Sequence, residues 1–457
     1  MVSEVGALGK HLALIGFMGA GKSTIGRELA RLTHRPFVDT DAEIERLRGP
    51  IPELFERGEP EFRRIEEQVV AEALVAPLSV IALGGGAVLS EVTRERLDAH
   101  AFCVFLDVDV DSAWERVRGS DRPLAQREED FRQLYETRLP LYHEVTDAPA
   151  KDVEDVLLAT LHIFVGGKAL LGPSYVVVAD EQVLALHPFD EGGRIITVPP
   201  GEQAKASAVV ERLWRDFELG RDGMIVAIGG GSTTDVAGFA AATYKRGLRW
   251  TAIPTTLTGM VDAAIGGKTG INTADGKNLV GAFHFPRGVF IQARYLGTLP
   301  DEERRAGMAE VVKTGLLVGR EVWSLPDEEM IRACAAFKAG VVLSDPYETE
   351  GGRTILNLGH TFAHALEAGS GYRVRHGDAV ALGLLAALRL SGQPTDAVEE
   401  VLRPRPVAAD PDAAWAALKR DKKGEGVFVL LERPGEPVVT SVADKDARAA
   451  LEALIAK

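Results

Sequence analysis

The feature that most constrains this chain is a glycine-rich loop near its N-terminus. Gly16-Phe-Met-Gly-Ala-Gly-Lys22-Ser23 follows directly on the apolar run His11–Ile15. A strand that ends in glycines and opens a helix points backbone N–H groups at an anion, while the lysine reaches the β/γ-phosphates and the serine can ligate Mg²⁺. The loop therefore predicts that this part binds a nucleoside triphosphate. The alternative, a turn without a ligand, would not require Lys22 and Ser23 at the helix start.

Length and charge narrow the class of protein. The 457 residues are too many for one ordinary core, so two or three domains are expected. The net charge of -15 argues against nucleic-acid or anionic-membrane partners, although clustered basic side chains could still form local anion sites. Cys103 and Cys334 are far apart and lack metal-type spacing, and no export signal or long apolar run is present. We expect a cytoplasmic protein without membrane or nucleic-acid partners.

The pattern of strands and helices predicts an α/β chain. In residues 1–160, strand-like runs alternate with helical patterns, as in a parallel sheet covered by helices. A fresh strand at His162-Ile-Phe-Val places the domain boundary between 160 and 161, and α/β alternation then repeats over 161–299, as in a Rossmann-like subdomain. Residues 300–457 are predicted to be mostly helical. The helical patterns are Arg304–Leu317, Met330–Leu343, Thr354–Glu367 and Asp378–Leu390.

Polar motifs in the first 160 residues suit a small polyhydroxy acid as phosphate acceptor. Asp41 follows a short strand, where a carboxylate can accept a hydrogen bond from a substrate hydroxyl. Arg63 and Arg138 can each hold a substrate carboxylate through two N–H groups. Taken singly, the aspartate could cap a helix and the arginines could be solvated surface charges.

Together, the order and spacing of these motifs resemble the shikimate kinase family over nearly all of residues 9 to 160. The resemblance implies ATP-dependent phosphorylation of shikimate, with positive charge supplied by Lys22, Mg²⁺ and the lid residue Arg122. It assigns shikimate to Asp41, Arg63, Gly85, Gly86 and Arg138. It assigns ATP to Gly19, Ala20, Gly21, Lys22, Ser23, Thr24 and Arg122, with Ser23 and Asp39 at the Mg²⁺.

The second half contains a set of potential metal ligands. His360-Thr-Phe-Ala-His364 places two imidazoles on one helical face, and Glu310 and His376 could complete a carboxylate–imidazole set of the kind that suits Zn²⁺. The His-x-x-x-His spacing alone could equally be an ordinary surface or packing pair.

The surrounding motifs resemble 3-dehydroquinate synthase over nearly the whole of residues 162 to 457. They include Ala309-Glu310-Val-Val-Lys313, Asn357-Leu-Gly-His360, His376-Gly-Asp and Gly276-Lys277-Asn278. The resemblance implies Zn²⁺ or Co²⁺ on Glu310, His360 and His376, with His364 as a nearby catalytic residue.

A second glycine-rich turn suits a dinucleotide. Gly229-Gly-Gly231 follows a predicted strand and would let the backbone approach a pyrophosphate, but it lacks the G-x-G-x-x-G pattern, so a turn without a cofactor is an open alternative. The family resemblance implies NAD. It assigns NAD to Glu202, Lys205, Gly229, Gly230, Gly231, Asp235, Thr255, Thr256, Lys268 and Lys277. It places around the substrate Arg246, Asp262, Lys268, Asn278, Lys313, Lys338, Arg353, Asn357, His364 and Lys422, with Lys423 as the alternative to the last.

The two resemblances predict a bifunctional shikimate-pathway enzyme that uses NAD, Zn²⁺ and Mg²⁺ with ATP. Its second reaction would convert 3-deoxy-D-arabino-heptulosonate 7-phosphate to 3-dehydroquinate and phosphate, with the hydride taken by NAD and then returned. We expect a homodimer formed through the second domain. Two alternatives stay open: a cyclase for a different sugar phosphate, or one half that is a catalytically dead binding module.

Overall fold

The structure, a computed structural model, describes residues 6–120, 123–169, 171–189, 192–274, 276–421 and 427–456. The chain divides into two compact units. The first ends at His162 and also takes in Ala339–Ser344, and the second comprises Ile163–Lys338 and Asp345–Lys457. Within the residues described, no helix is both long and apolar enough to cross a bilayer.

The first unit is built on a five-stranded parallel sheet in the order β2-β3-β1-β4-β5. Its elements are β1 (His11–Ile15), α1 (Lys22–Thr33), β2 (Phe37–Asp39), α2 (Thr40–Arg48), α3 (Ile51–Arg57), α4 (Glu59–Val75), β3 (Val80–Ala82), α5 (Glu91–His100), β4 (Ala101–Leu106), α6 (Val110–Val117), α7 (Glu128–Val145), β5 (Ala148–Ala150) and α8 (Val153–Thr160). Strands β1 and β4 are buried along their whole length, which explains their unbroken apolar sequences. The carboxyl ends of β1, β2 and β3 meet at one edge of the sheet, where the polar motifs lie.

The second unit begins with a six-stranded parallel sheet in the order β6-β13-β10-β9-β7-β8. The elements of this part are β6 (Ile163–Val165), β7 (Tyr175–Asp180), α9 (Glu181–Leu186), β8 (Arg194–Val198), α10 (Ser207–Asp216), β9 (Met224–Gly229), α11 (Gly231–Thr243), β10 (Arg249–Pro254), β11 (Lys268–Thr273), β12 (Gly276–Phe283) and β13 (Val289–Ile291). Strands β11 and β12 form a separate antiparallel hairpin.

The rest of the second unit is mostly helical. Its elements are α12 (Asp301–Val318), α13 (Asp327–Ser344), α14 (His360–Gly369), α15 (His376–Leu390), α16 (Asp396–Val401), α17 (Pro411–Asp421), β14 (Val427–Arg433), β15 (Glu436–Ser441) and α18 (Asp444–Glu452). Helices α14 and α15 are buried at the centre of its core, where Phe362 stacks on Phe428 from β14.

The predicted fold class is confirmed: a parallel α/β unit is followed by a second parallel sheet and a mostly helical region. One predicted element was wrong, because Thr354–Glu367 is not a continuous helix. A 3₁₀ segment, Gly352–Asn357, ends before Gly359, whose φ of 78° is left-handed, and α14 starts at the next residue. Only glycine fits there, since a Cβ on Gly359 would lie 2.7 Å from the backbone nitrogen of Leu384.

Candidate active sites

The glycine-rich loop of the first unit has the backbone conformation that only glycines allow. Gly16 and Gly19 have φ values of 145° and 79°, and Gly21 has a φ of 86° as α1 begins. A Cβ on Gly16 would lie 2.8 Å from the carbonyl oxygen of Leu106, and one on Gly19 would lie 2.7 Å from that of Ala113. The loop therefore turns tightly, and its backbone N–H groups lead into the N-terminus of α1, where anions bind.

The polar side chains at the start of α1 lie against this loop and the end of β2. Lys22 Nζ donates to the carbonyl oxygens of Gly16 and Phe17 at 2.8 and 2.9 Å, which folds the ammonium back over the loop. Ser23 Oγ donates to Asp39 Oδ2 at 2.5 Å. Asp39 also caps α2, because its Oδ1 accepts from the Ala42 N–H at 3.3 Å. A hydroxyl and a carboxylate side by side next to a phosphate loop suit hydrated Mg²⁺.

A cluster of charged side chains surrounds Gly84, Gly85 and Gly86, which follow β3. Arg138 is 2% exposed and donates to the Gly85 carbonyl at 3.2 Å, while its buried Nε finds no hydrogen-bond partner within the described ranges. Burial lowers the pKa of Arg138. A Cβ on Gly86 would lie 2.0 Å from Arg63 Nη1, so this glycine lets the guanidinium approach the backbone. The structure thus brings two arginines to the same glycine turn.

Two residues of this cluster, Glu66 and Tyr142, belong to the sequence motifs of Arg63 and Arg138 but were assigned no role from the sequence. Glu66 is buried and pairs with Arg63 Nη1 at 2.7 Å, one helical turn away on α4. Burial raises the pKa of the Glu66 carboxyl, and Arg63 only partly offsets this. Tyr142 donates to the Gly85 carbonyl at 2.5 Å. The i, i+3 spacing of Arg63 and Glu66, and the i, i+4 spacing of Arg138 and Tyr142, were the available signals.

Asp41 lies beside the same turn, since a Cβ on Gly84 would come within 2.5 Å of Asp41 Oδ1 and 2.7 Å of Glu66 Oε1. Arg122, predicted to lie on a lid over the phosphates, is outside the described residues. Arg116, which the sequence did not single out, donates to the Gly19 carbonyl of the phosphate loop at 2.9 Å.

In the second unit, the turn after β9 packs closely on the turn after β10. A Cβ on Gly229 would lie 2.5 Å from Thr233 Oγ1, and one on Gly230 would lie 2.9 Å from Thr256 Cγ2. Thr256 Oγ1 accepts from the Gly259 N–H at 3.1 Å, whereas the buried Thr255 Oγ1 has no hydrogen-bond partner among the described residues. The glycine turn therefore opens α11 next to an unsatisfied hydroxyl, which is an arrangement that a polar ligand could complete.

Lys205 connects three segments beside this turn. Its buried ammonium donates to Asp235 Oδ2 on α11 at 2.5 Å and to the side-chain oxygen of Asn278 on β12. Burial raises the pKa of Asp235 to about 6, although Lys205 opposes the shift. Glu202 accepts from the Asn272 side-chain amide at 2.6 Å. Four of the residues assigned to the cofactor or substrate are thus brought to one part of the β11–β12 hairpin, around Asn272 and Asn278.

Two buried charge pairs extend from this region toward the metal-ligand candidates. Lys338 Nζ donates to Asp262 Oδ1 at 2.5 Å and to its carbonyl at 2.7 Å, and Lys313 forms an ion pair with Glu310. Burial raises the pKa of Asp262, but Lys338 and Lys313 outweigh it and lower the pKa overall. Burial likewise raises the pKa of Glu310, but Lys313 and His360 hold it well below its usual range. Both carboxylates are therefore ionised.

Three side chains converge as a metal-binding group. They are Glu310 on α12, His360 at the start of α14 and His376 at the start of α15. Their ligand atoms all lie within 4.8 Å of one another. The Nε2 atoms of His360 and His376 are 3.4 and 3.6 Å from Glu310 Oε1. Oε2 of Glu310 is taken by the ion pair with Lys313, whereas among the described residues its buried Oε1 has no hydrogen-bond partner. A carboxylate and two imidazoles fit Zn²⁺ or Co²⁺ and leave a coordination position for substrate.

Backbone contacts of α15 hold the three ligand-bearing helices together. A Cβ on Gly377, next to His376, would lie 2.2 Å from the Cα of Ala306, one turn before Glu310 on α12. A Cβ on Gly383 would lie 2.0 Å from the carbonyl oxygen of Gly359, the residue before His360. The spacing of the ligands thus depends on glycines at which helices touch backbone to backbone.

The structure does not bring every predicted substrate residue to this site. Arg246 is exposed beyond the C-terminus of α11, at the opposite end of that helix from the glycine turn. Arg353 is buried and donates to the backbone carbonyls of Gly266, Asp345 and Pro346. In this conformation its guanidinium therefore holds the turn before Lys268.

The other predicted residues are solvent-facing or undescribed. Lys268 is exposed and pairs with Glu348 at 2.7 Å, and Asn357 is exposed at the end of the 3₁₀ segment. The His364 ring lies 5.8 Å from that of His360. Lys422 and Lys423 are outside the described residues.

Fold and sites together define a P-loop phosphotransferase unit followed by a Rossmann-like unit with a metal-ligand group. Family models agree: shikimate kinase matches residues 18–157, the N-terminal part of 3-dehydroquinate synthase matches 195–306, and its C-terminal part matches 307–423. The 3-dehydroquinate synthase of Salinibacter ruber is 39% identical over 334 residues, which cover 64% of this chain and 91% of that protein. That of Opitutus terrae is 44% identical over 295 residues, covering 57% of this chain and 81% of that protein.

A solved structure shares the fold of the second unit. This is 2-deoxy-scyllo-inosose synthase, complexed with carbaglucose-6-phosphate, NAD⁺ and Co²⁺, with a TM-score of 0.55, 26% identity and coverage of 61% of this chain and 90% of that one. The chain belongs to the 3-dehydroquinate synthase family and carries a shikimate kinase family domain at its N-terminal side. Both resemblances seen in the sequence, and the two enzyme classes they imply, are confirmed.

Proposed function

We propose that this one chain catalyses two separate reactions of the shikimate pathway. One is phosphorylation of shikimate on its 3-hydroxyl by ATP, and the other is conversion of 3-deoxy-D-arabino-heptulosonate 7-phosphate to 3-dehydroquinate and phosphate. The observation that carries the proposal is that each compact unit holds its own set of charged groups for one of these reactions. We assign residues 1–160 to the kinase and 161–457 to the synthase, with an NAD-binding part at 161–299 and a helical metal-binding part at 300–457.

In the kinase, the protein mainly aligns two anions and neutralises the transferring phosphate. The backbone N–H groups of the loop and Lys22 hold the ATP phosphates, and Ser23 and Asp39 hold Mg²⁺. Arg63 and Arg138 bind the shikimate carboxylate, which would give the buried Arg138 a charged partner beside the half-buried Arg63 at the glycine turn. Asp41 accepts a hydrogen bond from the reacting hydroxyl and orients it toward the phosphate.

In the synthase, Glu310, His360 and His376 would hold Zn²⁺ or Co²⁺, and the turn at Gly229–Gly231 with Lys205 and Asp235 would hold NAD. When bound, NAD takes up and returns a hydride, and the metal acts as a Lewis acid on the substrate alcohol. NAD and metal bound to a related fold in 2-deoxy-scyllo-inosose synthase support this assignment.

The chain's own residues prepare that site by electrostatics. Lys313 keeps Glu310 ionised, and Lys338 keeps Asp262 ionised, so the site retains its charges although it is buried. The substrate phosphate and carboxylate must be bound inside an acidic protein, which requires local positive charge. The residues that would bind them are the cations Lys268, Lys313 and Lys338, together with Asn278 and Asn357. His364, exposed one turn after His360, can exchange a proton with the substrate.

The sugar phosphate could instead be a different one, because the similar solved structure is a synthase with another name and holds carbaglucose-6-phosphate. The higher identity to proteins named 3-dehydroquinate synthase, 39% and 44% against 26%, favours the heptulosonate. Assays with alternative heptulose phosphates separate the two. Assays of each unit's reaction also test whether one half is only a binding module.

We further propose a cytoplasmic homodimer that forms through the synthase part.

The test uses the intact chain and a pair of matched variants. Lys22→Ala should abolish ATP consumption with shikimate and leave phosphate release from the heptulosonate unchanged, while His360→Ala should do the reverse. Loss of both activities in either variant would contradict two independent sites. Absence of one activity in the wild-type protein would contradict the proposed pair of reactions.

A further inference from the structure

A buried carboxylate outside the metal-ligand group contacts one of the ligands. Glu367 lies on α14, seven residues after His360, and its side chain is 8% exposed. Its Oε1 lies 3.6 Å from Nδ1 of His376, while Nε2 of the same ring faces Glu310 Oε1, also at 3.6 Å. The imidazole of His376 is thus held between two carboxylates, one on each ring nitrogen.

The two ring nitrogens of a histidine cannot both ligate one metal ion. The nitrogen that faces a carboxylate outside the group carries the proton, which leaves the other nitrogen with the free lone pair. Carboxylates in this outer position also fix the rotation of the ring and make it a better ligand. The His376 side chain is 44% exposed at the start of α15, and its ring lies 5.5 Å from that of His360.

Glu367 has a second partner, which offers a competing explanation for its burial. Lys277 on β12 approaches the same Oε1 at 3.5 Å, and its ammonium lies 5.0 Å from the centre of the Tyr372 ring. Glu367 could therefore serve only to attach the β11–β12 hairpin to α14. That role would not depend on His376.

We infer that Glu367 is a positioning residue that directs Nε2 of His376 toward the metal by accepting a hydrogen bond from the Nδ1–H of that ring. The inference rests on the proposed metal site and adds to it an outer carboxylate that selects the tautomer of one ligand. In the part of the chain that the structure describes, Nδ1 of His360 meets a backbone carbonyl instead of a carboxylate, that of Leu358 at 3.3 Å. The two imidazole ligands are thus oriented by different partners, a carboxylate and a carbonyl.

Metal affinity tests this inference without any activity assay. Purified full-length protein is stripped of metal and titrated with Zn²⁺ against a chromophoric chelator, and with Co²⁺ while its visible absorption is recorded. Glu367→Gln keeps the side-chain volume, and we expect it to bind Zn²⁺ about 10- to 100-fold more weakly, with an altered Co²⁺ spectrum. Lys277→Met removes the other partner of Glu367 but leaves the contact between Glu367 and His376 in place. We expect this variant to have the Zn²⁺ affinity and the Co²⁺ spectrum of the wild type.

The matched control is Glu348→Gln, which removes the ion pair with the exposed Lys268 instead. It should bind metal like the wild type. Circular dichroism checks that each variant is folded. Wild-type affinity and spectrum in folded Glu367→Gln, or an equal loss in Lys277→Met, would overturn the role of Glu367. If the wild-type protein binds no equivalent of metal, the proposed synthase site itself is wrong and this inference falls with it.

Discussion

Replacing Gly377 by alanine tests whether backbone contact between α12 and α15 sets the metal-ligand spacing. The new methyl carbon would lie 2.2 Å from Ala306 Cα and 2.5 Å from its Cβ, and neither atom belongs to a flexible side-chain end. To reach an ordinary carbon contact of roughly 3.5 Å, the helices must separate by about 1.3 Å. His376 is the residue before Gly377, and Glu310 lies one turn after Ala306, so the separation falls between these two ligands.

The separation far exceeds the tolerance of a metal site, which is about 0.2 Å in ligand distance. Overpacking of this kind costs about 1–3 kcal/mol. If binding metal requires the original helix spacing, that strain appears as a loss of metal affinity of about 5- to 150-fold. We therefore expect Gly377→Ala to weaken Zn²⁺ binding by at least the lower figure and to slow the synthase reaction, while the kinase reaction is unchanged.

The measurement is Zn²⁺ competition with a chelator, combined with circular dichroism. Gly238→Ala is the matched control, because its methyl would meet Thr269 Cγ2 at 2.5 Å but lies on α11, away from the three ligands. It should lower stability without changing metal affinity. Normal Zn²⁺ affinity in folded Gly377→Ala would refute the claim that this contact sets the ligand spacing.

Three further predictions concern the two proposed sites. Lys22→Ala should remove about 3 kcal/mol or more of transition-state stabilisation from shikimate phosphorylation, measured as kcat/KM, and near-normal turnover would remove the role given to Lys22. Arg63→Lys keeps the charge but loses the bidentate contact with the shikimate carboxylate, so KM for shikimate should rise more than KM for ATP. An equal rise in both KM values would contradict the assignment of Arg63 to the acceptor. A zinc-selective chelator should stop the synthase but spare the kinase, which relies on Mg²⁺; inhibition of both would argue against separate metals.

The sequence predicted those features that depend on local patterns. The strand, glycine loop and helix around Lys22 were readable because each step has its own residue types, and His360 and His364 share a face through their spacing. Thr354–Glu367 was misread as one helix, because apolar periodicity continues through Gly359 and only the tertiary contact with Leu384 shows why the chain turns there.

Other features needed the fold. Glu367 lies on the His360 face of α14, but nothing in the sequence shows that it meets a histidine from α15. Arg353 was expected beside the substrate, whereas in the structure its guanidinium donates hydrogen bonds to three backbone carbonyls. Long side chains of this kind can point several ways from one backbone position, so sequence order alone does not place their ends.

The central claim is that one chain carries two independent sites, and product analysis of the intact protein tests it most directly. The protein is given shikimate with ATP and Mg²⁺, or the heptulosonate phosphate with Zn²⁺ and catalytic NAD, and shikimate 3-phosphate, ADP, phosphate, 3-dehydroquinate and NADH are followed. We predict ADP and shikimate 3-phosphate in equal amounts from the first mixture. The second should give phosphate and 3-dehydroquinate over many turnovers without accumulation of NADH, because the hydride is returned. Stoichiometric NADH, or only one of the two product pairs, would contradict the account.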